Sequence, residues 1–162
     1  KKVREVAKLL NVPKEKVPTA VEQLFKTWKG LRKKLERLKR EVSSILEVRL
    51  SRRFKRIRRA RLLIESIDGY TFNELRELGE RLVDDDSVII LFGRLDRVYM
   101  LVRIGKNLAA KGLNAGNICR RIVKLCNGKG GGSPTIAQGV CERVPDIDEV
   151  EKLIEDLLTV SE

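Results

Sequence analysis

Three glycines, Gly130, Gly131 and Gly132, follow Lys129 in the stretch Gly128-Lys129-Gly130-Gly131-Gly132-Ser133-Pro134-Thr135-Ile136-Ala137-Gln138-Gly139. Glycine gives up more backbone freedom on folding than any other residue, so a run of three needs a physical reason. One reason is backbone that turns with positive φ. Another is a neighbouring group that comes too close for a Cβ. Exposed N–H groups in such a loop form a concave nest for phosphate, and Lys129 adds a positive charge beside it. The stretch therefore fits a phosphate-binding loop or a tight structural turn, and local spacing does not separate the two. It is not a triphosphate-binding P-loop, because G-x-x-x-x-G-K-[ST] occurs nowhere and the lysine here precedes the glycines. Ser133 is not a nucleophile, since its proton needs a base and the chain has no histidine. No catalytic residue is assigned.

The thiols and carboxylates offer little more chemistry. Cys119 and Cys126 are seven residues apart, which puts them on one helix face as small core residues. With Cys141 they make an odd number, and a zinc site would need a fourth ligand that no histidine can supply. We expect free thiols in a reducing cytoplasm. Asp84, Asp85 and Asp86 could hold magnesium, but they stand between a helical and a strand-like pattern and read as a solvated turn. No metal site is expected.

Charge points to a partner. The 162 residues carry 35 Lys plus Arg against 23 Asp plus Glu, a formal charge of +12. Such an excess implies an anionic partner, nucleic acid first. Aromatics are only 4%, too few for an extended stacking platform, so readout of backbone and shape is expected. No apolar run approaches a membrane span and no signal-peptide pattern opens the chain, so no membrane is expected. The chain starts with Lys and its sole Met is Met100, which leads us to expect a piece of a longer protein.

The densest charge lies at 49–61, where eight of thirteen residues are basic. A helical reading turns Leu50, Phe54 and Ile57 inward and Arg52, Arg53, Arg56 and Arg59 outward. A solvated face is the usual fate of such a run. Like charges at i and i+4 repel until neutralised, and the planar arginine fork suits phosphate, which favours contact with a polyphosphate backbone.

The positioning elements fall into two halves. Val3, Val6, Ala7 and Leu10 mark a short helix that Asn11, Pro13 and Pro18 interrupt. Thr19, with Glu22 three residues on, reads as the N-cap of a long helix. Val21, Leu24, Trp28, Leu31, Leu35, Leu38, Val42 and Ile45 then recur at alternating spacings of 3 and 4, the a/d seam of a coiled coil. The seam requires a partner: a second copy, or an intramolecular hairpin with residues 2–10 and 51–60. From 61 onward the order reads β-α-β-β-α-β-α. Strands are expected at 62–67, 87–92, 97–104 and 138–142. Helices are expected after Thr71, over 115–126 after Asn114, and over 147–158. The expected fold is α+β: a helix-loop-long-helix subdomain at 1–60, followed by a small α/β globular subdomain with a mixed sheet at 61–162.

Val88-Ile89-Ile90-Leu91-Phe92-Gly93, Asn114-Ala115-Gly116 and Gly130-Gly131-Gly132…Ala137-Gln138-Gly139 together resemble the domain associated with DHH-family phosphoesterases and found at the C-terminus of alanyl-tRNA synthetases. With Val6-Ala7-Lys8-Leu9-Leu10-Asn11-Val12-Pro13 and the long charged helix, the whole chain resembles the C-terminal region of an archaeal alanyl-tRNA synthetase. The resemblance implies a non-catalytic region, without cofactors of its own, that dimerises through its helical part. Its globular part would bind the outer corner of tRNA(Ala), and its parent would use ATP, magnesium and zinc. Lys129, Gly130, Gly131, Gly132 and Ser133, with Lys106, Arg120 and Arg121, would then face the tRNA, and Arg52, Arg53, Arg56 and Arg59 would extend that surface. Ser133 stands where the family often has arginine, and Val140 where a further glycine is common. Two other readings are an accessory domain of a DHH-type phosphoesterase and a purely structural coiled-coil module.

Overall fold

The computed structural model describes residues 2–160, which divide into two compact units, Lys1–Ile45 and Leu46–Glu162. The division falls before the basic run rather than after residue 60, because Leu46 and Leu50 already pack in the core of the second unit.

In the first unit, α1 (Lys2–Leu10) ends where Asn11 takes a positive φ of 52°. The N–H groups of Asn11 and Val12 return to the carbonyls of Lys8 and Ala7, closing the helix C-terminus as a left-handed residue does. A short 3-10 turn, Lys14–Lys16, leads directly into α2 (Val17–Ser51). Pro18 does not hold the helix off; it sits in the first turn, where its missing N–H has no partner to lose. Thr19 is therefore inside α2 and is not its cap. The eight seam residues are 45–71% exposed, so nothing in this unit covers them.

The second unit is built on a mixed six-stranded sheet, ordered β1-β2-β3-β4-β6-β5. Its strands are β1 (Lys55–Ile57), β2 (Ala60–Asp68), β3 (Ser87–Arg94), β4 (Val98–Ile104), β5 (Lys129–Gly132) and β6 (Ile136–Cys141). Only β2 and β3 pair in parallel, joined by α3 (Phe72–Leu82). β3 is apolar and buried on both faces, as a central strand covered on both sides must be. Val88, Ile90 and Phe92 face a core shared with α4 (Lys106–Ala110), α5 (Ala115–Leu125) and α6 (Ile147–Val160). Ile89 and Leu91 face the opposite core, with Leu75 and Leu78 of α3 and Leu50 at the end of α2.

Two elements depart from the sequence reading. The basic run is not a helical face: α2 stops at Ser51, and β1 and β2 form a hairpin in which Ile57 pairs with Ala60. Arg58 at its tip has a φ of 52°. The tight turn sends the chain back before a second helix can start, and Arg61 leaves the run to pair with Asp84 and lie 4.4 Å over the Phe54 ring. The triplet of glycines is a strand, not a loop. Two carboxylates of the aspartate turn are occupied by the protein itself: Asp84 by Arg61 and the Asp86 N–H, and Asp86 by Asn107.

The cap of α3 does match expectation. The Glu74 N–H donates to Thr71 Oγ1 at 3.3 Å, and the Thr71 N–H donates to Glu74 Oε2 at 2.9 Å. Thr71→Ala should cost about 1 kcal/mol in urea denaturation. Thr19→Ala, inside a helix, should shift stability by less than about 0.5 kcal/mol, and comparable losses for the two would contradict the capping assigned here.

Candidate nucleic-acid interface

Strand β5 is an edge strand that pairs only with β6, in the register Gly130 to Gly139 and Gly131 to Gln138. None of the three glycines has positive φ, so turn formation is not why they are there. Proximity is. A Cβ on Gly130 would lie 2.7 Å from Cys119 Sγ and 2.6 Å from the Gln138 carbonyl oxygen. One on Gly132 would lie 2.5 Å from Ala137 Cα, and one on Gly116 of α5 would lie 2.5 Å from the Gly132 carbonyl oxygen. Only at Gly131 is there room, with Arg120 Nη1 the nearest atom at 3.6 Å. The strand lies flat on α5 because neither surface carries a side chain where they meet.

This packing also removes the expected phosphate nest. At the start of α5, the Ala115 N–H donates to the Pro134 carbonyl at 2.8 Å and the Gly116 N–H to the Ser133 carbonyl at 3.1 Å. The Asn117 N–H donates to Asn114 Oδ1 at 3.0 Å. Helix donors that could have met an anion are satisfied by the chain's own turn. Ser133 closes that turn: its N–H donates to the Ile136 carbonyl and its Oγ accepts from the Ile136 N–H. What faces outward instead is the unpaired edge of β5, a row of backbone donors and acceptors unshielded by side chains.

A groove of about 290 Å³ runs beside this edge, between the glycine strand and the start of α3. Gly131, Gly132 and Gln138 form one wall, and Phe72 and Arg76 the other. Arg76 also borders the next depression, where Arg103 bonds Glu80 and the Thr135 carbonyl, each at 3.1 Å. An apolar ring, a guanidinium and bare backbone at a sheet edge can hold a sugar–phosphate chain and a base together. Phe72 and Arg76 were missed in the sequence. The Thr71 cap fixed their helix, but nothing local shows which face of that helix borders β5.

The other expected residues are dispersed. Lys129 opens β5 and is exposed. Arg120 borders Gly131, with its Nη2 2.6 Å from Asn117 Oδ1, and Arg121 is exposed one position on. Lys106 begins α4 beside the aspartate turn, where the Asn107 N–H donates to the Asp85 carbonyl. Arg52, Arg53, Arg56 and Arg59 stand at or beside β1, the opposite edge of the sheet from β5, about 24 Å away across five strand spacings. Arg53 is engaged by Glu65 at 2.9 Å. The two basic sets are thus separate surfaces.

A family model described as the DHHA1 domain matches residues 59–160. The chain belongs to the DHHA1 domain family. Its DHHA1 domain has the fold of the C-Ala domain of Aquifex aeolicus alanyl-tRNA synthetase, at a TM-score of 0.59 and 23% identity, over 65% of this chain and 97% of that one. Alanine–tRNA ligase of Pyrococcus abyssi is 30% identical over 96% of this chain and 16% of its own length. The Methanosarcina acetivorans ligase is 33% identical over 82% of this chain and 14% of its own length. The chain thus spans a small part of these relatives.

In the DHHA1 domain the expectation of three free thiols is corrected. Cys126, at the end of α5, and Cys141, at the end of β6, are joined in a disulfide with Cα atoms 5.4 Å apart. The return of β6 brings them together, as the Glu142 N–H donates to the Cys126 carbonyl at 3.1 Å. Cys119 alone is free, and it is buried. Burial pushes its thiol up to about 11, with the Arg120 guanidinium pulling the other way. Among the described residues no cluster of His, Cys, Asp or Glu could hold a metal, and no helix is long and apolar enough to cross a membrane.

Gly130→Ala and Gly132→Ala should each lose about 1–3 kcal/mol in urea melts. Gly131→Ala should fall within about 0.5 kcal/mol of the parent, and equal effects at all three positions would refute the close-approach account. The native Cys119 thiol should alkylate at pH 8 at least roughly a hundredfold more slowly than an exposed cysteine. Its raised pKa lets the folded state hold the proton longer, so its contribution to stability should fall as pH rises from about 9 toward 11.

Proposed function

We propose that this chain is the non-catalytic tRNA-binding and dimerisation region of an alanyl-tRNA synthetase. Two copies pair through the seam of Val21, Leu24, Trp28, Leu31, Leu35, Leu38, Val42 and Ile45. The DHHA1 domain lays the β5 edge, with Arg76, Arg120 and Lys129 around it, against the outer corner of tRNA(Ala). The observation that carries this reading is the side-chain-free edge strand flanked by a groove with an exposed cationic wall. Bare backbone admits a folded RNA to hydrogen-bonding distance, while Arg and Lys neutralise its phosphates. The names of the ligase relatives support alanine as the amino acid concerned. Alanine ligation with ATP and magnesium, and zinc-dependent editing, belong on this reading to other parts of a cytoplasmic parent enzyme.

The seam supports the dimer. Eight apolar side chains at strict heptad positions, each about half exposed, form a stripe that a second helix of the same pattern would bury. Of the charged residues on the e and g flanks, Arg32, Lys34 and Lys39 are basic and Glu41 is the one acid, so pairing is driven by the apolar layers.

Titration with folded tRNA(Ala), an unrelated tRNA and unfolded RNA, with masses from light scattering, tests both halves. A dimer that prefers folded tRNA is expected, with affinity falling about a hundredfold or more between 50 and 200 mM salt. Arg76→Ala combined with Arg120→Ala should weaken tRNA binding without changing the mass, and Leu31→Lys with Leu35→Lys should give monomers. A salt-independent affinity would refute the tRNA role, and a monomeric parent would refute the seam.

A further inference from the structure

α2 has a second face that pairing along the seam does not use. At 100° per residue, the position five after each a residue lies about 170° from the middle of the seam. After Val21, Trp28 and Leu35 those positions are Lys26, Lys33 and Arg40, all exposed; after Val42 the position is Glu47, which pairs with Arg81 at 3.0 Å. Lys29 and Arg37 flank the three cations. Of the acids nearby, Glu36 is committed to Arg32 at 3.7 Å and Glu41 to Arg37 at 3.6 Å, while Glu22 stands one turn before Lys26. Among the described residues no carboxylate pairs with Lys26, Lys33 or Arg40, so between residues 26 and 40 the outward charge of this face is positive on balance.

We propose that this outer stripe is a second RNA-binding surface, which takes the phosphate backbone of a duplex stem along the axis of the helix. Its outward orientation rests on the seam being the dimer interface. Successive cations are seven residues, about 10.5 Å, apart along the axis. A duplex carries roughly one charge per 2 Å of its axis, so a stripe of cations laid along it runs in a strongly negative field. Lysine on a flexible stem acts as a point charge that needs no base to read, and the surface should therefore be indifferent to sequence. An anionic membrane fits less well. A helix lying in a lipid interface buries its apolar stripe in the acyl boundary; here the second copy takes that stripe, and Lys26, Lys33 and Arg40 lie diametrically opposite it.

The test uses the whole chain and three probes: a 20-base-pair RNA duplex, folded tRNA(Ala) and phosphatidylserine vesicles. The variant Lys26→Gln, Lys33→Gln and Arg40→Gln lies outside the seam, so its light-scattering mass and far-ultraviolet circular dichroism should match the parent. Duplex affinity should become less salt-sensitive. Three lost phosphate contacts lower the log–log slope by about 2.7, so the affinity drop between 50 and 200 mM salt shrinks about fortyfold. Arg76→Ala with Arg120→Ala should leave the duplex slope unchanged while weakening tRNA(Ala), which separates this surface from the groove. A duplex slope unaltered in the triple variant means a solvated face only and overturns the proposal. So does a triple variant that loses vesicle binding while keeping the duplex slope. In a monomeric parent, a duplex slope that still falls in the triple variant would overturn the seam and support the stripe.

Discussion

The contact between β5 and α5 is the constraint on which the globular unit depends. Gly130 on the strand and Gly116 on the helix let β5 and α5 meet closely, while Gly132 lets β5 close on Ala137 of β6. That approach aims the first N–H groups of α5 at the carbonyls of the 133–134 turn. It also leaves the outer edge of β5 open and sets the position of β6 against β4. A single added methyl at Gly130 meets sulfur and backbone at once. The groove wall is bare for a different reason: Gly131, which has room for a side chain, carries none.

Much of this architecture was legible from short-range chemistry. Thr71 with Glu74, and Asn114 ahead of Ala115, mark helix starts because their oxygens satisfy donors that helices leave open. Asp68-Gly69 marks a turn that the structure makes with Gly69 at a φ of 76°. The β3 run of Val88 to Phe92 declares a strand buried on both faces. The α+β class with a mixed sheet follows from such signals. The signals failed where the decisive partner was remote. The glycine triplet looked like a loop because the helix it packs on lies outside the local window. The basic run looked helical because its apolar residues fit a helical period, while the hairpin depends on cross-strand pairing and on Arg58 accepting a left-handed conformation. The Cys126–Cys141 bond could not be read from spacing, since it depends on where β6 returns.

Electrostatics divides the chain more sharply than topology does. The second unit engages many of its cations internally: Arg53 with Glu65, Lys55 with Glu151, Arg81 with Glu47 and Arg103 with Glu80. These pairs, each with one side chain partly buried, reduce the charge free to meet a polyanion. The net excess of the sequence is therefore a poor guide to where RNA would sit. The edge of β5 and the outer face of α2 matter because cations there coincide with accessible backbone or with an unopposed stripe.

The Cys126–Cys141 bridge has a mechanical consequence. It closes a covalent ring across 15 residues of separation, and that ring contains the whole of β5, its turn and nearly all of β6. Edge strands are ordinarily the first to fray, because one side of their hydrogen-bond ladder is missing. Here fraying cannot propagate outward from the ends of the hairpin, since both ends are tied to each other and to the last turn of α5. The unpaired edge of β5 is thereby held in a covalently tethered segment, which presents it as a rigid rail.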